Sequence, residues 1–81
     1  MKRAIELYGI LKESGIGPTV ELNLSETATA AEVLCLLKEL FGHKAVLLKG
    51  AVLATETEVL AAGDPLPASQ RLAALPPVCG G

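Results

Sequence analysis

Aromatic residues are almost missing from this chain: Tyr8 and Phe41 are the only two, and there is no tryptophan. A base-stacking surface or a large apolar ligand pocket normally draws on more. Histidine is equally scarce, with His43 alone, and the two cysteines, Cys35 and Cys79, form no CxxC pair. A zinc site is therefore not expected. A secreted disulfide scaffold of this size would carry about four cysteines or more. No apolar run approaches the roughly 18 residues of a membrane span. The first residues, Met1-Lys2-Arg3-Ala4-Ile5-Glu6, meet charge before a signal-peptide core begins. Nor is there a basic stripe, because Lys and Arg are scattered and the formal net charge is -2. These absences predict a cytoplasmic protein that binds neither nucleic acid nor membrane.

What is present is aliphatic. Hydrophobic residues make up 51% of 81 positions, enough for one modest core in one domain. A domain this small buries only about 60 to 65% of its unfolded surface, so its stability margin is thin. No internal repeat or Pro/Gly/Ser-rich linker divides the chain.

Residues 2–8 alternate, with Ile5 and Leu7 on one side and Ala4, Glu6 and Tyr8 on the other, which is a half-buried strand. Gly15, Gly17 and Pro18 punctuate a turn over residues 9–17. Residues 19–24 alternate again, with Val20, Leu22 and Leu24 inward, so the two segments predict a hairpin. Thr29-Ala30-Ala31-Glu32 fits a capping box. After it, Val33, Leu34, Leu37, Leu40 and Phe41 recur at helical spacing, and Gly42 closes the helix in a left-handed conformation. Cys35, beside that stripe, is expected in the core, and His43 at the helix terminus or in solvent. Residues 45–48, 51–55 and 58–62 read as short extended segments. Gly63-Asp64-Pro65 makes a turn, and residues 71–75 form a last strand stopped by Pro76-Pro77. Hairpin, helix and further strands predict an α+β domain over residues 1–75, with one main helix on one face of a mixed sheet. The β-grasp fits that order. Residues 76–81 form a separate tail.

That tail, Pro76-Pro77-Val78-Cys79-Gly80-Gly81, is the chemically informative segment. Paired prolines favour the stiff polyproline II form, so the tail is expected to project from the domain. Six extended residues reach about 20 Å. Gly80 supplies clearance for a narrow tunnel, because glycine accepts almost any backbone angle. The α-carboxylate of Gly81 is the group for which a reaction can be named. A carboxylate is a poor electrophile, but adenylation by ATP makes its oxygen a leaving group that a sulfur nucleophile can displace. The tail has no base, metal ligand or oxyanion hole of its own, so partners must catalyse. The chain is then a carrier and co-substrate.

Leu75-Pro76-Pro77-Val78-Cys79-Gly80-Gly81 closely resembles the terminus of the MoaD/ThiS sulfur-carrier family, nearest to the small subunit of molybdopterin synthase. Leu7-Tyr8-Gly9-Ile10-Leu11-Lys12-Glu13 resembles the end of that family's first strand and the turn into a short helix. Thr29-Ala30-Ala31-Glu32-Val33-Leu34 resembles the start of its main helix, and Asp64-Pro65-Leu66 a turn before its last strand. The resemblance implies a ubiquitin-like β-grasp and a cycle in three steps. An E1-like adenylyltransferase activates Gly81 with ATP and magnesium, neither of which this chain holds permanently. A persulfide sulfurtransferase forms the thiocarboxylate. The molybdopterin synthase large subunit, in a heterotetramer, then takes the sulfur for cyclic pyranopterin monophosphate. It also implies partner contacts at Tyr8, Lys12, Val59 and Leu75, continuing along Pro76, Pro77, Val78 and Cys79. The chain departs from the family pattern at Glu56, at Ala68-Ser69-Gln70, at Arg71, which reverses a usual charge, and at Cys79. Cys79 reads as a tolerated small side chain, or as a thiol able to form a mixed disulfide. The same Gly81 adenylate serves other outcomes. These are sulfur transfer to thiamine thiazole, tRNA or cysteine synthesis, and isopeptide modification of protein lysines. A plain β-grasp interaction module with inert glycines is a further reading.

Overall fold

Alternating burial in the first strand sets the plan of the molecule. The computed structural model describes residues 2–68 and 70–76, without the side chain of Ser14. Strand β1 (Lys2–Leu7) buries Ile5 and Leu7 and leaves Ala4 exposed, as its period-two pattern requires. β2 (Thr19–Asn23) buries Val20 and Leu22 between exposed Thr19, Glu21 and Asn23. The two pair antiparallel, with Ile5 opposite Val20. Their connection is not a bare turn. It contains a 3-10 helix, Gly9–Ser14, that drops Leu11 fully into the core.

Three further strands complete the sheet: β3 (Val52–Ala54), β4 (Val59–Leu60) and β5 (Leu72–Leu75). The spatial order is β2-β1-β5-β3-β4. β5 lies parallel to β1 and antiparallel to β3, and β3 and β4 form a second antiparallel pair. Helix α1 (Ala30–Phe41) covers one face. Its buried residues, Ala30, Val33, Leu37 and Phe41, meet Ile5, Leu7, Val20, Leu22, Leu53, Leu60, Leu72 and Ala74 from the strands. This is an α+β ubiquitin-like β-grasp, with a mixed five-stranded sheet and one main helix.

The helix stripe is narrower than the sequence suggests. Leu40 is 50% exposed and Cys35 is exposed, so neither belongs to the core. Cys35 follows Val33 by two residues, about 200° round the helix axis, which turns it away from the sheet. Leu40 follows Leu37 by three and falls on the rim. The capping box is also not formed, since the Thr29 side chain makes no cap hydrogen bond. Backbone carbonyls from the loop before β5 do that work instead. Ala30 N–H donates to Asp64 O (3.0 Å) and Ala31 N–H to Ala62 O (2.9 Å), while the Asp64 carboxylate accepts from Ala61 N–H (2.9 Å).

Gly42 does end α1, donating its N–H to Lys38 O. Its backbone (φ 58, ψ -123) has the expected positive φ but not the left-handed helical ψ. The chain then continues as a 3-10 helix, Gly42–Leu48, where an extended segment over residues 45–48 was expected. A short apolar run has no decisive period, and here it folds tightly so that Leu48 is buried beneath α1.

Candidate functional site

Among the described residues no helix covers the face of the sheet opposite α1, and the registers assign its residues. Glu6 lies beside Ala73, Ala73 beside Ala54, and Ala54 beside Val59. One step towards the tail, Leu75 lies beside Val52, and Tyr8, whose N–H donates to Ala74 O (3.2 Å), stands on the other side of Leu75. Small alanines floor the middle of this face, while larger side chains stand up around them. Tyr8 is 46% and Val59 59% exposed, with Leu75 and Val52 half-buried.

Tyr8, Leu75 and Val59 therefore share one face. Tyr8 and Leu75 are neighbours, whereas Val59 lies three strand spacings from β1, on the order of 14 Å away. Lys12 is exposed on the 3-10 helix after β1. It borders a concavity of about 310 Å3 with Glu6, Tyr8, Gly9 and Thr19, which places it at the edge of the face. Pro76, half-buried, marks the root of the tail. A Cβ on Gly9, whose φ is +58, would lie 2.9 Å from Pro76 Cγ, so the proline fits because residue 9 is glycine. Pro77, Val78, Cys79, Gly80 and Gly81 lie outside the described residues.

The alternation places Glu6 on Tyr8's side but not its role as the polar centre of this face. Its Oε2 accepts from Arg71 Nε (2.8 Å) and lies 2.6 Å from Arg71 Nη2, while Oε1 accepts from the Tyr8 hydroxyl (3.0 Å). The Arg71 hydrogen bond first, and the Tyr8 bond second, hold the Glu6 carboxyl below the ordinary glutamate range. Donating to that carboxylate holds the Tyr8 phenol above its ordinary value. Glu6 and Arg71 are 65 positions apart, and only the parallel β1–β5 register brings them together. With Tyr8, Thr55, Glu56, Leu72 and Ala73 they line a shallow cleft of about 110 Å3.

The larger concavity, about 530 Å3, opens at the far end of β1 between Lys2, Arg3, Leu24, Ser25 and Leu66, and borders neither Tyr8 nor Leu75. Among the described residues no group of three or more His, Cys, Asp or Glu side chains is placed to hold a metal ion. No described helix is long and apolar enough to cross a membrane.

No model of a known protein family matches the chain, and no curated protein matches it in sequence. Solved structures do match. SAMP1 from Haloferax volcanii, a small archaeal modifier protein, is 24% identical over 100% of both chains with a TM-score of 0.73. A second Haloferax volcanii protein, solved in solution, is 16% identical over 100% of this chain and 87% of its own, with a TM-score of 0.78. A Pyrococcus furiosus protein described as molybdopterin converting factor, subunit 1, is 14% identical over 96% of this chain and 99% of its own, with a TM-score of 0.66. What the chain shares with them is the ubiquitin-like β-grasp, consistent with the MoaD/ThiS resemblance of its motifs.

Proposed function

We propose that this chain is a ubiquitin-like sulfur carrier that works through the α-carboxylate of Gly81, as the small subunit of molybdopterin synthase. The observation that carries the reading is the course of β5. The central strand of a small β-grasp ends at Leu75 on the partly apolar face opposite α1, and is followed in sequence by Pro76-Pro77-Val78-Cys79-Gly80-Gly81.

In the proposed cycle a Gly81 carboxylate oxygen attacks the α-phosphorus of ATP and pyrophosphate leaves. The terminal sulfur of a partner's persulfide then attacks the acyl carbon and AMP leaves. A second thiol reduces the resulting S–S bond and frees the thiocarboxylate. Tyr8, Leu75, Val52 and Val59 dock the body while the tail enters the partner's site, with Lys12 at the margin. In the last step the sulfur passes to cyclic pyranopterin monophosphate on the large subunit. A second reading is conjugation to protein lysines, which the likeness to SAMP1 favours. The adenylate is common to both, and only the attacking nucleophile differs.

Intact-mass analysis tests this. After incubation with ATP, an E1-like adenylyltransferase and a persulfide sulfurtransferase, the carrier gains the mass of sulfur replacing oxygen, and loses that gain when Gly81 is deleted. A lysine adduct in place of the thiocarboxylate selects the modifier reading. A chain that is never adenylated refutes both. Transfer to cyclic pyranopterin monophosphate by a purified large subunit tests the molybdopterin assignment.

A further inference from the structure

One charged group on the open face is only half satisfied. A guanidinium carries five N–H donors and does not deprotonate. Arg71 donates Nε–H to Glu6 Oε2, and its Nη2 lies 2.6 Å from the same oxygen. Its remaining N–H groups make no hydrogen bond to another described residue, and with the side chain 67% exposed they are left to water. The pair with Glu6 holds the guanidinium in one orientation, so little freedom is lost when a second group engages it. A partner that covers Tyr8 and Leu75 also covers this cleft and removes that water. Donors left bare at such an interface weaken binding.

We propose that Arg71 is a specificity-determining residue of the docking face, met by an uncharged oxygen acceptor, an amide or backbone carbonyl, on the activating partner. A neutral acceptor is favoured because Glu6 already balances the guanidinium and Glu56 lines the same cleft, so a further carboxylate there meets two of its own sign. The inference rests on the carrier reading.

The test is the steady-state kinetics of Gly81 adenylation by the source organism's E1-like adenylyltransferase. Arg71→Ala is expected to raise KM about tenfold or more, with kcat unchanged to within about twofold. The double variant Glu6→Arg with Arg71→Glu keeps an intrachain ion pair and a near-native Tm, and still shows the raised KM. A native KM in either variant overturns the proposal by reducing the pair to a structural role. The ratio of the Arg71→Ala KM to the native KM is expected to persist at high salt. Its collapse would mean a charged acceptor and overturn the neutral assignment. Failure of the native chain to be adenylated overturns the carrier reading, and this inference with it.

Discussion

Leu37 and Leu40 sit three residues apart on one helix and look equivalent in sequence, yet their truncation should differ several-fold in cost. Leu37 is 0% exposed beneath the middle of α1, whereas Leu40 is 50% exposed at its rim. Leu37→Ala removes a fully enclosed isobutyl group and leaves a cavity, a change worth about 2–5 kcal/mol. Against a total stability on the order of 4–12 kcal/mol for a chain this long, that is a large fraction. Each kcal/mol shifts Tm by about 4–8 °C in a domain of this size. A mid-range loss of about 3 kcal/mol therefore lowers Tm by about 12–24 °C. Leu40→Ala gives up only the half of the side chain that is out of water, and alanine returns a few tenths of a kcal/mol in helix propensity, so the net loss is below about 1 kcal/mol. Urea titration followed by circular dichroism measures both, and an unchanged m-value certifies that the midpoint shift is stability. Equal losses for the two variants would refute the reasoning. They would mean that the Leu40 side of α1 is covered in solution, or that the helix is rotated on the sheet.

Asp64→Ala should cost about 1 kcal/mol, because it removes the acceptor for Ala61 N–H and loosens the loop that caps α1. Amide exchange at Ala30 and Ala31 should quicken, while Thr29→Ala, whose hydroxyl makes no cap bond, should leave both rates near native. Side-chain NMR should show Glu6 titrating below 4.5 and returning towards it in Arg71→Ala, and Tyr8 titrating above 10.0. Since the native pKa of Glu6 is depressed, its ionised form favours folding at pH above 4.5, and that contribution fades as pH falls through the lowered native value. Val59→Asp should leave Tm within a few degrees, the side chain being 59% exposed. If the docking face is as proposed, the same change raises KM for Gly81 adenylation, and an unaltered KM removes Val59 from that face.

The local half of this architecture was legible in the sequence. Strict alternation in residues 2–8 and 19–24 identifies both strands of the hairpin and their faces, because side-chain direction in a strand depends only on parity. The open-face position of Tyr8 follows from the same rule. What escaped depends on partners distant in the chain. The carbonyls of Ala62 and Asp64 compete with the Thr29 hydroxyl for the first N–H groups of α1 and win, which no capping pattern around position 29 can reveal. Glu6 and Arg71 meet only because β5 inserts between β1 and β3. Leu40 and Cys35 went astray because a periodic stripe gives the direction of the buried face but not its width, and the sheet here meets a narrow arc. The roles of Gly80, Gly81 and the rest of the tail beyond Pro76 rest on chemistry and resemblance.

The placement of β5 also bears on how a carrier of this kind would be handled. A strand at the edge of a sheet peels when its end is drawn into another protein, because only one ladder of hydrogen bonds holds it. β5 is bonded on both sides, to β1 and to β3, and Pro76 is seated against Gly9. A pull on residues beyond Pro76 is therefore borne by the core of the sheet. The proposed docking face works in the opposite sense. A stable interface buries about 800 Å2 per partner, nearly a sixth of the 4996 Å2 surface of this molecule. The apolar contribution available on the open face is a few side chains around an alanine floor, which is suited to short-lived contacts. On the proposed cycle the same surface must release the adenylyltransferase and the sulfurtransferase before the synthase subunit can take it. Filling the floor, for instance with Ala73→Leu, would then be expected to disturb every partner's docking at once. A variant that impaired only one partner would show that the partners use different faces.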